Sequence, residues 1–109
     1  MSEETSNARS LLYAKLLGET AAISWQELEP FFARGATLRV ASDLNLVEVA
    51  TAVSLDEKAQ VAGWLSAGGL GKLEAEQAQE WIACDAGLWA VVVAPWVLVQ
   101  ERQRPSAEG

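Results

Sequence analysis

Histidine is absent from this chain of 109 residues, and cysteine and methionine occur once each. Without histidine, neither Ser-His-Asp nor Cys-His catalysis is available, and the usual zinc sites lose their commonest ligand. A lone Cys84 excludes a disulfide framework within the chain. Basic residues are also scarce, eight against fifteen acidic ones, for a net charge of −7. Arg9, Lys15, Arg34, Arg39, Lys58 and Lys72 are scattered, and only Arg102 and Arg104 lie close together. Nucleic-acid affinity rests on clustered Lys and Arg that neutralise phosphates, so no nucleic-acid partner is expected. Long apolar runs are missing as well. The longest, Ala86–Val99, has fourteen residues and contains Pro95, short of the eighteen or more of a spanning helix. No membrane partner is expected. Met1–Asn7 is acidic and polar with no apolar core of a signal peptide, so the expected location is cytoplasmic.

What is present is half hydrophobic and 21% charged, a composition suited to one globular domain. Its expected extent is residues 8–100, between polar tails at 1–7 and 101–109. Ala8–Leu17 is rich in helix formers, with Leu11, Leu12, Leu16 and Leu17 forming an apolar face and Gly18 a natural stop. Ser24 and Glu27 have the capping-box spacing, with apolar Ile23 before them. The helix they open meets Pro30, which should kink or restart it, and Gly35 is a left-handed stop. Ser54 and Glu57 repeat the capping-box form ahead of a helix over Leu55–Ala67, which buries Val61, Trp64 and Leu65 and ends at Gly68-Gly69. After the link Leu70–Leu73, a further helix covers Glu74–Ala83, with Ala75, Ala78, Trp81 and Ile82 on its face.

Between these helices, Thr37–Ala41 and Leu46–Val53 read as a hairpin around Ser42-Asp43-Leu44-Asn45. In that register Val40 faces Val47, Leu38 faces Val49, and Arg39 faces Glu48. The second segment also fits a helix, since Leu46, Val49, Ala50 and Val53 follow i, i+3, i+4, i+7 spacing.

Chemistry-bearing patterns are few. Gly68-Gly69-Leu70-Gly71-Lys72 resembles a phosphate loop, but Ser66 replaces its first glycine and Leu73 its magnesium-binding hydroxyl. No cofactor or metal site is expected. Glu48 interrupts an apolar stretch; if buried it could act as a general acid or base, whereas the simpler reading is a cross-strand pair with Arg39. Glu19, Arg34 and Asp43, at element ends, could join Glu48 in a small-ligand or acid–base site. Cys84 follows a helix C-terminus and precedes Asp85, which keeps its thiol unreactive. The five tryptophans outnumber phenylalanine and tyrosine together. Trp25, Trp64 and Trp81 fall on apolar helix faces and suggest a shared core.

Leu88–Gln100 reads as the last and strongest strand. Leu88, Ala90, Val92 and Ala94 alternate with Trp89, Val91 and Val93, and two apolar faces require cover on both sides. Pro95 cannot donate to a ladder, which favours an edge or a bulge. A bulge would split the strand; an edge strand would be covered by a second copy of the chain. The favoured expectation is the second, a homodimer formed through Trp89, Pro95, Trp96, Val97 and Val99.

Several blocks carry a resemblance: Leu12-Tyr13-Ala14-Lys15-Leu16, Gly18-Glu19-Thr20-Ala21, Ile23-Ser24-Trp25-Gln26-Glu27-Leu28, Phe31-Phe32-Ala33-Arg34-Gly35 and Leu46-Val47-Glu48-Val49-Ala50. The most distinctive is Val91-Val92-Val93-Ala94-Pro95-Trp96-Val97-Leu98-Val99-Gln100. The chain resembles a family of small bacterial proteins known as a domain of unknown function, over nearly everything between the tails. The resemblance implies a bacterial cytoplasmic protein and supplies no catalytic residue. The expected fold is α+β, about four helices packed on a small, mainly antiparallel sheet of three or so strands, with Leu88–Gln100 beside Leu46–Val53. The expected function is a non-enzymatic protein–protein interaction module that self-associates through its C-terminal strand. The alternative is a small-ligand binder or weak acid–base enzyme using Glu48. A winged helix is disfavoured because its second helix would carry Glu27 and Glu29 against one Arg34.

Overall fold

A computed structural model describes residues 3–102 of the chain, with side chains from Asn7 onward. In chain order the elements are α1 (Glu3–Glu19), β1 (Ala21–Ile23), α2 (Trp25–Ala33), β2 (Thr37–Val40), α3 (Leu46–Ser54), α4 (Lys58–Ala67), β3 (Leu70–Lys72), α5 (Ala75–Cys84), β4 (Leu88–Val93) and β5 (Trp96–Glu101). Of the two expected tails, residues 1–2 and 103–109 lie outside the described residues. Helix α1 begins five residues ahead of its expected start at Ala8.

The terminal apolar segment is two strands. It turns at Ala94-Pro95, whose peptide bond is cis, and β4 pairs antiparallel with β5 from Val93↔Trp96 to Leu88↔Glu101. Proline in the turn costs the ladder no hydrogen bond, which reconciles it with a pattern demanding cover on both faces. The strand order is β1-β4-β5-β2-β3. Strand β5 therefore lies inside the sheet, between β4 and β2, and the expected C-terminal edge strand does not exist. Three of the four pairings are antiparallel, and β2 runs parallel to β5.

The hairpin expected from Leu46–Val53 is also corrected, because that segment is helix α3. Asn45 starts it: the side-chain oxygen accepts from the backbone N–H groups of Val47 at 2.9 Å and Glu48 at 3.1 Å. Six of its nine residues are buried, since α3 lies between α1, α4 and the sheet. The neighbour of the final strand is Thr37–Val40, paired from Thr37↔Val97 to Val40↔Gln100.

Alternation along β4 and β5 divides the apolar residues into two cores. Val91, Val93 and Leu98 meet Leu16 of α1 and Leu46, Val47, Val49 and Ala50 of α3, with Trp64 and Trp96 at the margin. Leu88, Ala90, Val97 and Val99 meet Leu28 of α2 and Ala78 and Trp81 of α5, with Trp25 and Phe32 at the margin. The tryptophans thus do not form one core. Trp81 alone among them is buried, and its indole N–H donates to Glu101 at 3.3 Å.

Local signals fare unevenly. Ser24 and Glu27 form the capping box, with the Glu27 N–H donating to Ser24 Oγ at 3.2 Å and the Ser24 N–H to the Glu27 carboxylate at 3.1 Å. Helix α2 continues through Pro30. Gly35 and Gly68 adopt left-handed φ of 72° and 84° at the helix stops. The second expected capping box fails. Ser54 is the last residue of α3, the Glu57 N–H donates to the Ala52 carbonyl at 2.9 Å, and helix α4 starts at Lys58 without a side-chain cap. Leu65 and Ile82, expected on buried faces, are exposed.

The fold is α+β, with five helices and a five-stranded mixed sheet among the described residues. The two strands beyond expectation, β1 and β3, have three residues each, too few for alternation to register. Among the described residues no helix is long and apolar enough to cross a membrane.

Candidate functional site

The polar residues named from the sequence are held apart, and most are engaged with other partners. Glu48 projects from the first turn of α3 and binds Arg9 of α1 at 2.9 Å. Arg9 also grips Glu57 in a two-pronged contact, Nε and one terminal nitrogen each at 3.0 Å. The hydrogen bonds from Arg9 hold the Glu57 carboxyl below its ordinary value and push the guanidinium further up. This network ties α1 to α3 and to the start of α4. The expected Arg39–Glu48 pair is replaced because α3 carries Glu48 away from β2; Arg39 instead donates to the Gly68 carbonyl at 3.4 Å.

The other members of the acid–base set do not join Glu48. Glu19 accepts from Lys15 at 3.3 Å. Arg34 lies over the Phe31 ring at 4.9 Å, and Asp43 is exposed in the loop between β2 and α3. Gly68 to Lys72 is a helix stop followed by β3. Cys84 is exposed, its thiol 4.0 Å from the Trp81 carbonyl. Among the described residues no three His, Cys, Asp or Glu side chains group as metal ligands.

The residues expected at an interaction surface separate by strand facing. Val97 and Val99 point into the second core and are buried, so they offer no surface. Pro95 and Trp96, with Val92, Val93 and Ala94, line a cavity of about 440 Å³ that also meets Lys15, Glu19, Ser54 and Asp56. The Lys72 ammonium reaches to 6.0 Å from the Trp96 ring. Pro95 is exposed in its turn, and Trp89 is the accessible aromatic. It keeps 39% of its surface exposed, with the Arg102 guanidinium 5.3 Å from its ring.

Two apolar clefts lie on opposite faces of the sheet, one over β4, β5 and the start of α3, the other along β1. On the face of the first core, Leu17, Leu44, Leu46, Val47 and Trp89 enclose about 420 Å³, with Thr20, Asn45 and Gln100 supplying polar groups. Gln100 builds this cleft's floor: its amide donates to the carbonyls of Ala41 at 2.8 Å and Leu44 at 2.7 Å, pinning the loop that leads into α3. On the other face, a cleft of about 300 Å³ runs along Ala21 to Ile23, Phe31, Ala90 and Val92, with Glu19 and Glu27 at its rim. Val92 is 58% exposed there, because α2 and α5 pack on Leu88, Ala90, Val97 and Val99 and stop short of it. The Leu17–Trp89 cleft had no local signal in the sequence, since its walls come from α1, the α3 start and the β4–β5 hairpin.

A family model for proteins of unknown function, DUF2288, matches residues 11–101. The chain belongs to that family. The matched span takes in every element of this DUF2288 sheet and both clefts. The chain is also similar to PA1075 from Pseudomonas aeruginosa, known from an NMR solution structure. The two are 58% identical over 95% of this chain and 93% of that one, with a TM-score of 0.77. No curated protein matches.

Proposed function

We propose that this DUF2288 chain is a non-enzymatic protein–protein interaction module whose contact surface is the exposed part of β4 and its flanking clefts. The observation that carries the reading is the exposure of Trp89 and Val92 on a strand whose other residues are buried. Tryptophan is enriched where partners dock, and an exposed apolar side chain beside a concave surface marks a contact site; Trp89 supplies one on one face of the sheet and Val92 one on the other. The ionisable residues support the same reading, since Glu48 is committed to Arg9 and Glu19 to Lys15. Self-association belongs to this reading in a changed form. With both edges of β5 paired, a second copy would meet the outward side chains of β4.

A photo-crosslinking residue at Val92 tests the proposal in a bacterial host of the family. Crosslinks to defined proteins, absent from the same probe at exposed Gln79 on α5, are the expected result. Equal labelling from both positions would sink the module. Light scattering over a wide concentration range reads whether the crosslinked partner is a second copy.

A further inference from the structure

We propose that the edge strand β1 receives an extended segment of another protein, one that alternates apolar residues and carries basic ones. The inference rests on the interaction-module reading and names its partner chemistry. Strand β1 is one edge of the sheet, and its sequence Ala21-Ala22-Ile23 contains no charge. Natural edges are guarded by charge, especially lysine, and by brevity. The opposite edge strand, β3, ends in Lys72; β1 has brevity alone.

One cleft matches what an added strand would present. Its side chains alternate between the sheet faces; the Val92 cleft runs along β1 on one face, and the Leu17–Trp89 cleft lies further in on the other, over β4 and β5. Ala22 pairs with Trp89 and so shares the face of the Leu17–Trp89 cleft. Ala21 pairs with Ala90 and shares the face of the Val92 cleft. Backbone pairing would supply affinity, and the Val92 cleft would select the side chains that face it.

Charge selects among occupants. The charged residues of the Val92 cleft are Glu19 and Glu27. Lys15 answers Glu19, while Glu27 has no basic partner among the described residues. The net charge of −7 adds a long-range field that draws in cations. A second copy paired through β1 would bring the same carboxylates towards their own images.

The test uses amide chemical shifts of the intact protein titrated with the blocked hexapeptide KVFVKV and its counterpart EVFVEV. The expected result is saturable shifts at Ala21, Ala22, Ile23, Val92 and the Trp89 indole with KVFVKV, at least about fivefold weaker binding of EVFVEV, and loss of that preference in Ala21→Lys. Ala21 is exposed, so this substitution leaves the fold readable in the remaining shifts. Shifts elsewhere, equal affinity for the two peptides, or no response at millimolar peptide would overturn the proposal. Concentration-dependent shifts at β1 without peptide would assign the edge to a second copy and overturn it too. If Val92 crosslinks persist while KVFVKV fails, the module stands and this occupant falls.

Discussion

Asn45→Ala is the substitution that most directly probes how α3 is set in place. The side chain makes three contacts at once: its oxygen accepts from the N–H groups of Val47 and Glu48, and its amide donates to the Tyr13 hydroxyl of α1 at 3.0 Å. Truncating such a cap costs about 1 kcal/mol, with a range of roughly 0.5–2. The exposed bond to Tyr13 adds on the order of 0.5 kcal/mol. The expected loss is therefore about 1.5 kcal/mol, or a fall in Tm of roughly 6–10 °C for a domain of this size. Asn45→Asp separates the contributions. Aspartate keeps the acceptor and places negative charge at the positive end of the helix, losing only the donor to Tyr13. It should stay within about 0.5 kcal/mol of the parent, and Tyr13→Phe should cost no more than that. Urea unfolding followed by far-UV circular dichroism, with unchanged m-values, measures all three. If Asn45→Asp were as damaging as Asn45→Ala, or Asn45→Ala were neutral, the cap would not be what fixes α3.

Neighbouring residues on β4 should respond oppositely to the same change: Val91→Ala, at 1% exposure, should cost about 2 kcal/mol in urea unfolding through lost burial and a cavity. Val92→Ala, at 58% exposure, should cost under about 0.5 kcal/mol while weakening any partner contact. Glycines on and beyond α4 give another contrast. Gly63 lies within the helix with open space around it, so Gly63→Ala should stabilise by about 0.5–1 kcal/mol; Gly68→Ala, at φ 84°, should destabilise by about 1 kcal/mol. The Arg9–Glu57 contact predicts a pH signature. The Glu57 carboxyl is held below its ordinary 4.5, so more protons bind the unfolded state in that range and stability falls as pH drops. Glu57→Gln should cost about 0.5–1 kcal/mol at neutral pH and low salt, given its partial exposure. That penalty should fade once acid protonates the native carboxylate; a penalty persisting there would refute the ion-pair explanation.

The sequence is most legible where a signal is local. Ser24 and Glu27 need only each other to form their box, and Gly35 and Gly68 need only their own freedom at positive φ. Ser54 and Glu57 show the limit of that logic, because α3 runs on through Ser54, which leaves Glu57 as the first residue before α4 and its carboxylate free to meet Arg9, nearly fifty residues away in sequence. The segment Leu46–Val53 fails for another reason. Periodicity reveals a helix by contrast between a dry face and a wet one. Helix α3 keeps that contrast about as well as α2 does, but six of its nine residues are buried, and Val47, Val49, Thr51 and Val53 also recur at period two with β-branched side chains. Its valines then read as strand, and the match of Arg39 with Glu48 was coincidence. In the terminal segment the pattern was sound: both faces of β4 and β5 are largely covered, and Pro95 only marked where one strand became two. What alternation could not reveal is where that cover stops. Val92 and Trp89 look like their buried neighbours in sequence, and their exposure depends on where α1, α2 and α5 end. A surface made by the places where helices run out has no motif of its own, which is why the two clefts emerge only from the packed chain.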